Sequence, residues 1–305
     1  MLDFTPNPSR ILSDPAYLTT KGQFFGETGY VYGYSRSTGY DNTGAKLSST
    51  TTNNQNISQK FAYGVTDTLS VRADIGYSPM NKRDVHALAS PRVRNAEGFT
   101  NPNFGFTYRV LEQQKTAPVS WDVKLDYAPD LIDSELPNNN RGTGSVGRGG
   151  DVTRLGTQVA YKTTSLTIAG FAGVDYSGKR ETQLLNTANR YKEDASWGGL
   201  VGVDTQTRFC ERLSLGLGGS YSISQNTDVT NMRTGISSEK NSGDIGQLKA
   251  AVNYHVVPNR LVASLSYNHN FIGDTENTYI NPASNSTTES DVARIFGVRL
   301  QYVFN

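Results

Sequence analysis

Histidine, serine and carboxylates are the raw material of hydrolysis, but here their spacing does not serve it. The three histidines stand in DVHALAS (His86), NYHVV (His255) and YNHNF (His269), and none has a serine two residues on. No nucleophile, base and orienting group can be assembled around any of them. The aspartates and asparagines of the polar stretches are scattered, as in solvated loops, without the fixed spacing of a calcium loop. A single cysteine, Cys210, leaves no internal disulfide and no thiolate zinc cluster. The GRGG at Gly147 to Gly150 lacks the strand-to-helix setting of a phosphate loop, and NIS at Asn56 and NST at Asn285 match a glycosylation triplet by composition alone. No catalytic residue, metal ligand or cofactor is expected.

A different set of charges does follow a rule. Glu27, Arg72, Asp74, Arg109, Asp122, Lys124, Asp126, Arg154, Lys249 and Arg299, together with Lys162, Asp175 and Asp204, all fall on the polar side of stretches in which polar and apolar residues alternate. The stretch YGVTDTLSVRADIGY, Tyr63 to Tyr77, shows the pattern most plainly. Leu69, Val71, Ala73, Ile75 and Tyr77 alternate with Ser70, Arg72, Asp74 and Gly76, and Thr66 to Thr68 interrupt the run. Alternation with a period of two is a strand with one apolar face, and the interruption is a tight turn.

The same alternation predicts twelve strands: Gly22 to Arg36, Ile57 to Val65, Leu69 to Tyr77, Asn103 to Val110, Val119 to Tyr127, Val152 to Lys162, Leu166 to Tyr176, Trp197 to Asp204, Leu213 to Ser224, Gln247 to Val256, Leu261 to Phe271 and Val292 to Phe304. Most are close to the roughly 9–11 residues that cross a bilayer at a tilt. Short links (Thr66 to Thr68, Leu111 to Pro118, Thr163 to Ser165, Thr205 to Arg212, Val257 to Arg260) alternate with long polar loops between Ser37 and Asn56, Ser78 and Pro102, Ala128 and Asp151, Ser177 and Ser196, Gln225 and Gly246, and Ile272 and Asp291. Antiparallel neighbours put every short link at one end and every long loop at the other, the layout of outer-membrane barrels.

The apolar face carries aromatic residues near both ends (Tyr63, Tyr108, Trp121 and Tyr254 at one; Tyr77, Phe104, Trp197 and Phe296 at the other) with Val71, Val123, Leu217, Val252 and Leu265 between. Two aromatic girdles around an aliphatic band match the two interfaces and the hydrocarbon of a membrane. The core that the apolar face needs is therefore lipid. A closed antiparallel all-β barrel of about twelve strands satisfies every backbone group there, and the polar face lines its interior.

Composition agrees. In 305 residues only 36% are hydrophobic, while Gly (30), Tyr (17) and Phe (12) are plentiful. Lys plus Arg (29) nearly equals Asp plus Glu (28), which removes the long-range field of a nucleic-acid binder. The longest apolar run, SLTIAGFAG, is far short of a transmembrane helix, and the N-terminal MLDFTPNPSRILSDPAYL does not read as a signal peptide. Residues 1–21, with Pro6, Pro8 and Pro15, are expected to be irregular, either folding back into the lumen as a partial plug or trailing into the periplasm; residues 22–305 form the barrel.

The final strand RIFGVRLQYVF, with Gly297, Leu300, Tyr302 and Phe304, resembles the C-terminal assembly signal of bacterial outer-membrane proteins, departing from it by the added Asn305. YGVTDTLSV (Tyr63 to Val71) and GFTNPNFGFTYRV (Gly98 to Val110) are similar to hairpins of outer-membrane channels of the meta-pathway phenol-degradation type. That resemblance implies a Gram-negative outer membrane and uptake of small, often aromatic, compounds through a porin-like channel. The ten charges named first, Glu27 to Arg299, are the expected pore lining. Expected partners are outer-membrane lipid and lipopolysaccharide, the barrel assembly machinery and a small-molecule solute, with no nucleic acid. The competing readings are a barrel whose long loops bind a partner or surface, and a barrel hydrolase. Closure also brings the first and last strands together, and Glu27 and Arg299 are expected to face each other, or to lie one strand apart, across that seam at mid-lumen, subject to the barrel's shear.

Overall fold

The computed structural model describes residues 12–87, 92–113, 117–136, 143–147, 149–184, 190–279 and 284–304. Twelve long strands, numbered here in chain order, form the wall: β1 (Phe24–Asp41), β2 (Lys46–Gly64), β3 (Leu69–Ala87), β4 (Asn103–Leu111), β5 (Ser120–Ala128), β6 (Val152–Lys162), β7 (Leu166–Ser177), β8 (Ser196–Cys210), β9 (Leu213–Ser224), β10 (Ile245–Val257), β11 (Leu261–Ile272) and β12 (Ser286–Phe304). Each pairs antiparallel with the next. β12 then returns to β1, Phe24 opposite Phe304 and Gly33 opposite Ile295, so the sheet has no edge. Among the described residues no helix is long and apolar enough to cross a membrane, so the strands do the crossing.

The short turns are built by local chemistry. Thr66 and Thr163 both accept from the backbone N–H of the residue three further on, Leu69 (2.9 Å) and Leu166 (3.0 Å), and each donates its own N–H back to that leucine's carbonyl. The link after β10 is a turn from Val257 to Arg260 with Pro258 and then Asn259 at φ 59°, the residue types that such a turn selects.

The outward face carries what a soluble core would hide. Val71, Val159, Leu217, Val252, Leu265 and Val298 are exposed, flanked by exposed Tyr63, Tyr108, Trp121, Tyr161 and Tyr254 toward one end and Tyr77, Phe104, Tyr127, Trp197, Phe271 and Phe296 toward the other. The buried apolar core is correspondingly small. Leu12, Phe25 and Val262 form one cluster, with Tyr17, Ala62 and Val303 against it, and Ala16, Ala160 and Ala169 form another. Both lie inside the wall at the short-turn end, where residues 12–19 enter the lumen.

The long connections differ from expectation. β1 runs to Asp41 instead of Arg36, β2 starts at Lys46 instead of Ile57, β3 continues to Ala87 past Tyr77, and β12 begins at Ser286. Short strands such as Arg180–Leu184, Arg190–Glu193, Thr227–Asn231, Ser237–Asn241 and Thr275–Tyr279 pair in series and carry the sheet upward. Above the bilayer both faces of a strand meet water, so the alternation that marks a half-apolar strand disappears although the hydrogen-bond ladder continues. β8 likewise reaches Cys210, reducing an expected eight-residue link to the two residues Glu211 and Arg212.

Candidate functional site

The lumen is the site, and its lower part is filled by the chain's own N-terminal segment. Asp14 and Pro15 set a turn: the Asp14 carboxylate accepts from Ala16 N (2.8 Å) and its carbonyl from Tyr17 N (3.0 Å). The wall then holds that turn. Arg109 donates to Ala16 O (2.8 Å), Gln158 to Pro15 O (2.9 Å), Gln206 to Ser13 Oγ (2.7 Å) and Thr167 to Asp14 (3.0 Å), while Lys162 pairs with Asp14 at 3.1 Å. Thr19 donates to Ser70 (2.6 Å). Leu12, Asp14, Ala16, Leu18 and Thr19 are all buried. Residues 1–11 and Asn305 lie outside the described residues.

The charges expected to line the pore share the sides of their strands that hold Ser70, Thr107, Ser120, Gln158, Asn253 and other buried polar residues. Arg109 and Asp122, adjacent on β4 and β5, form a two-pronged pair at 2.8 and 3.0 Å. Arg72 on β3 reaches across β4 to Asp126 on β5, with Nε at 2.9 Å. Asp74 accepts from Asn103 (3.2 Å) and Lys124 donates to Gln158. Lys249 pairs with Asp204 at 3.3 Å and stands 5.4 Å from the centroid of Phe171. Arg154 lies exposed, in register with Asp126 and Asp175.

The seam does not join Glu27 to Arg299. Register sets Glu27 opposite Gln301 and Gly29 opposite Arg299, two residues further along, and Glu27 is held by Gln301 (2.7 Å) and by Lys60 (3.5 Å) on β2. The two-residue stagger at the seam was not legible from strand ends counted separately.

Glycines let these side chains lie flat. A β-carbon on Gly105 would collide with the Asp126 carboxylate, and one on Gly218 with that of Asp204. Each carboxylate is folded over a glycine of the neighbouring strand, so the ion pairs hug the wall and space stays open above the N-terminal segment. That space is a chamber of ≈ 420 Å³ reached by Val31, Asp204, Gln247, Lys249, Asn268, Ile295 and Arg299. A smaller cavity of ≈ 280 Å³ surrounds the segment itself, and Arg299 borders both.

Two placements could not be read from spacing along the chain. His86 stands on the upper part of β3 opposite Ser49, not in a loop. His255 Nε2 meets Ser214 Oγ at 3.3 Å across β9 and β10, a contact between residues 41 apart in sequence. Ser214 and His255 are 0% and 1% exposed and are boxed in by Gln206 (3.1 Å) and Asn253 (3.3 Å). A nucleophile so enclosed has no approach for a carbonyl, so the contact reads as a satisfied polar network.

A closed twelve-strand antiparallel barrel with an apolar outer band, two aromatic girdles and a polar interior has the fold of an outer-membrane β-barrel. No family model and no curated protein matches the sequence. Among solved structures the chain is similar to an outer-membrane channel from Pseudomonas putida F1, with TM-score 0.61 and 11% identity over 94% of this chain and 97% of that one. The outer membrane protease OmpT from Escherichia coli matches at TM-score 0.42 and 10% identity over 94% and 98%. The P. putida toluene transporter TodX matches at 0.44 and 13% over 96% and 93%. The first of these likenesses establishes the fold.

Proposed function

We propose that this barrel is a passive outer-membrane channel for small solutes, with aromatic and other small organic compounds as its cargo, and that residues 12–19 narrow its periplasmic end. The observation that carries the reading is the ≈ 420 Å³ polar chamber, kept open because the charges around it lie along the wall. Side chains fill an eight-strand barrel and water fills one of about 16, so twelve strands with an inserted segment fit a narrow, selective passage. The likeness to an outer-membrane channel supports this by analogy of fold alone. The enclosed Ser214 and His255 give a hydrolase no support.

In this reading the outer band and girdles meet lipid, the long-loop end meets lipopolysaccharide, and the assembly machinery takes the strand that ends at Phe304 as its signal. Liposome swelling tests the channel. Small sugars, amino acids and aromatic acids should enter at rates falling steeply with size; no swelling with any of them would instead favour the reading in which the extended loops bind a partner above a closed lumen.

A further inference from the structure

Most lumenal cations are spoken for. Lys60 pairs with Glu27, Arg72 with Asp126, Arg109 with Asp122, Lys162 with Asp14 and Lys249 with Asp204. Arg154 and Arg299 differ, since neither side chain has a hydrogen-bond or ion-pair partner among the described residues, and Arg299 borders both lumenal cavities. The nearest carboxylate along the seam, Glu27, is committed to Lys60 and Gln301. An always-charged guanidinium facing a polar cavity presents its donors to whatever occupies that cavity, and its planar fork matches a carboxylate.

The surroundings of Arg299 add a second requirement. On the seam, Gly29 lies opposite Arg299, Val31 opposite Gly297 and Gly33 opposite Ile295. A β-carbon on Gly29 would meet Ser58 Oγ at 2.9 Å and one on Gly297 would meet Ser266 Oγ at 2.6 Å, so the two glycines make room for these hydroxyls, while Arg299 Cγ and Val31 Cγ2 lie at ordinary contact distance. Along the seam above the guanidinium the side chains are Val31 and Ile295, an apolar strip between polar neighbours such as Ser266 and Asn268, and all four line the chamber. Beside it Asn268, in register with Ile295 on β11, has no side-chain partner among the described residues and lines the same space.

We infer that the chamber is a recognition subsite for small amphipathic carboxylates, in which Arg299 takes the carboxylate and Val31 and Ile295 take the apolar body. This rests on the channel reading and deepens it by naming a substrate class. A monocyclic acid such as benzoate fits: its charged end turns to the periplasmic side, its ring lies on the aliphatic strip, and Asn268 offers an amide donor. The site prefers the anion to its neutral analogue because the guanidinium otherwise goes unpaired. The Lys249–Asp204 pair across the chamber stays closed, so binding consumes no existing ion pair.

The test uses the full chain in detergent micelles, with affinities by saturation-transfer NMR, and the same preparation in planar bilayers. Benzoate should bind at least about tenfold more tightly than benzyl alcohol, the worth of a charge-assisted hydrogen bond. Arg299→Gln should erase that preference while leaving heat-modifiable migration on gels unchanged, and Arg299→Lys should keep part of it. Ile295→Ser should weaken benzoate but not acetate. Unchanged benzoate affinity in Arg299→Gln, or inorganic phosphate displacing benzoate at equal concentration, would overturn the subsite. Arg299-dependent binding without bilayer current would sink the channel reading and leave the subsite standing. Current without Arg299-dependent binding would do the reverse.

Discussion

The lower and upper halves of the lumen use the same side-chain types to opposite ends. Arg109 and Asp122, each 3% exposed, grip each other while Arg109 also donates to the carbonyl of Ala16; Lys249 and Asp204, each 31% exposed, sit at a single 3.3 Å contact beside open space. In the lower half ion pairs are the mortar between wall and inserted segment. In the upper half they are lining. Burial, not residue type, separates the two, because a charge shut away from water must keep its partner while one beside lumenal water need not.

The largest effect should come from breaking the lower half. Arg109→Ala leaves Asp122 buried and uncompensated and should cost about 3–5 kcal/mol in unfolding free energy, whereas replacing both residues by apolar ones of similar volume should cost far less. Equal losses in the single and double variants would show that the pair is not shut off from water. Next comes the outside of the same wall: Leu265→Arg, on a residue 63% exposed to lipid, should cost about 2–4 kcal/mol. Its inward neighbour Ser264 belongs to the buried polar side, and exchanged behaviour of the two faces would mean a register slip of one residue.

A smaller, pH-dependent effect belongs above the membrane. Burial would raise the Glu193 carboxyl, but Lys240 at 3.5 Å, Arg180 and a hydrogen bond from Thr227 (3.2 Å) outweigh it and hold the pKa below its ordinary value. A depressed carboxyl pKa contributes stability that is present above the unfolded-state value and lost as pH falls through the folded one. Hydrogen-exchange protection, taken relative to the intrinsic rate at each pH, should therefore fall in residues 180–184, 190–193 and 227–241 as pH drops below the ordinary carboxylate range, and Glu193→Gln should remove that dependence. The smallest stability effect is expected in the upper lumen: Lys249→Gln should cost no more than about 1 kcal/mol, yet shift ion selectivity toward cations. A loss as large as that of Arg109→Ala would erase the distinction between the halves.

The barrel was legible wherever one face of a strand meets lipid and the other does not. Val71 and Arg72, or Trp121 and Asp122, announce their faces because hydrocarbon permits no exception. Thr50 to Asn56 and Lys82 to His86 continue the same strands where neither face is apolar, and nothing in their side chains says so. The inward charges could be picked out by parity, but not their partners. Glu27 finds Gln301 because the seam register is a property of closure and Lys60 because the β1–β2 register sets the two opposite each other, and Ser214 meets His255 only once β9 and β10 are aligned. The turn at Asp14 and Pro15 carried a local signal, while its docking onto Arg109, Gln158 and Lys162 is a fact of the assembled lumen.

The most direct test is single-channel conductance of the intact chain against one lacking residues 1–19, each first shown to migrate as a folded barrel. A narrow passage closed in at its lower end by that segment should give small, steady currents in the intact protein and a conductance several-fold larger once the segment is gone. Identical conductance in the two, or no current in either, would contradict it.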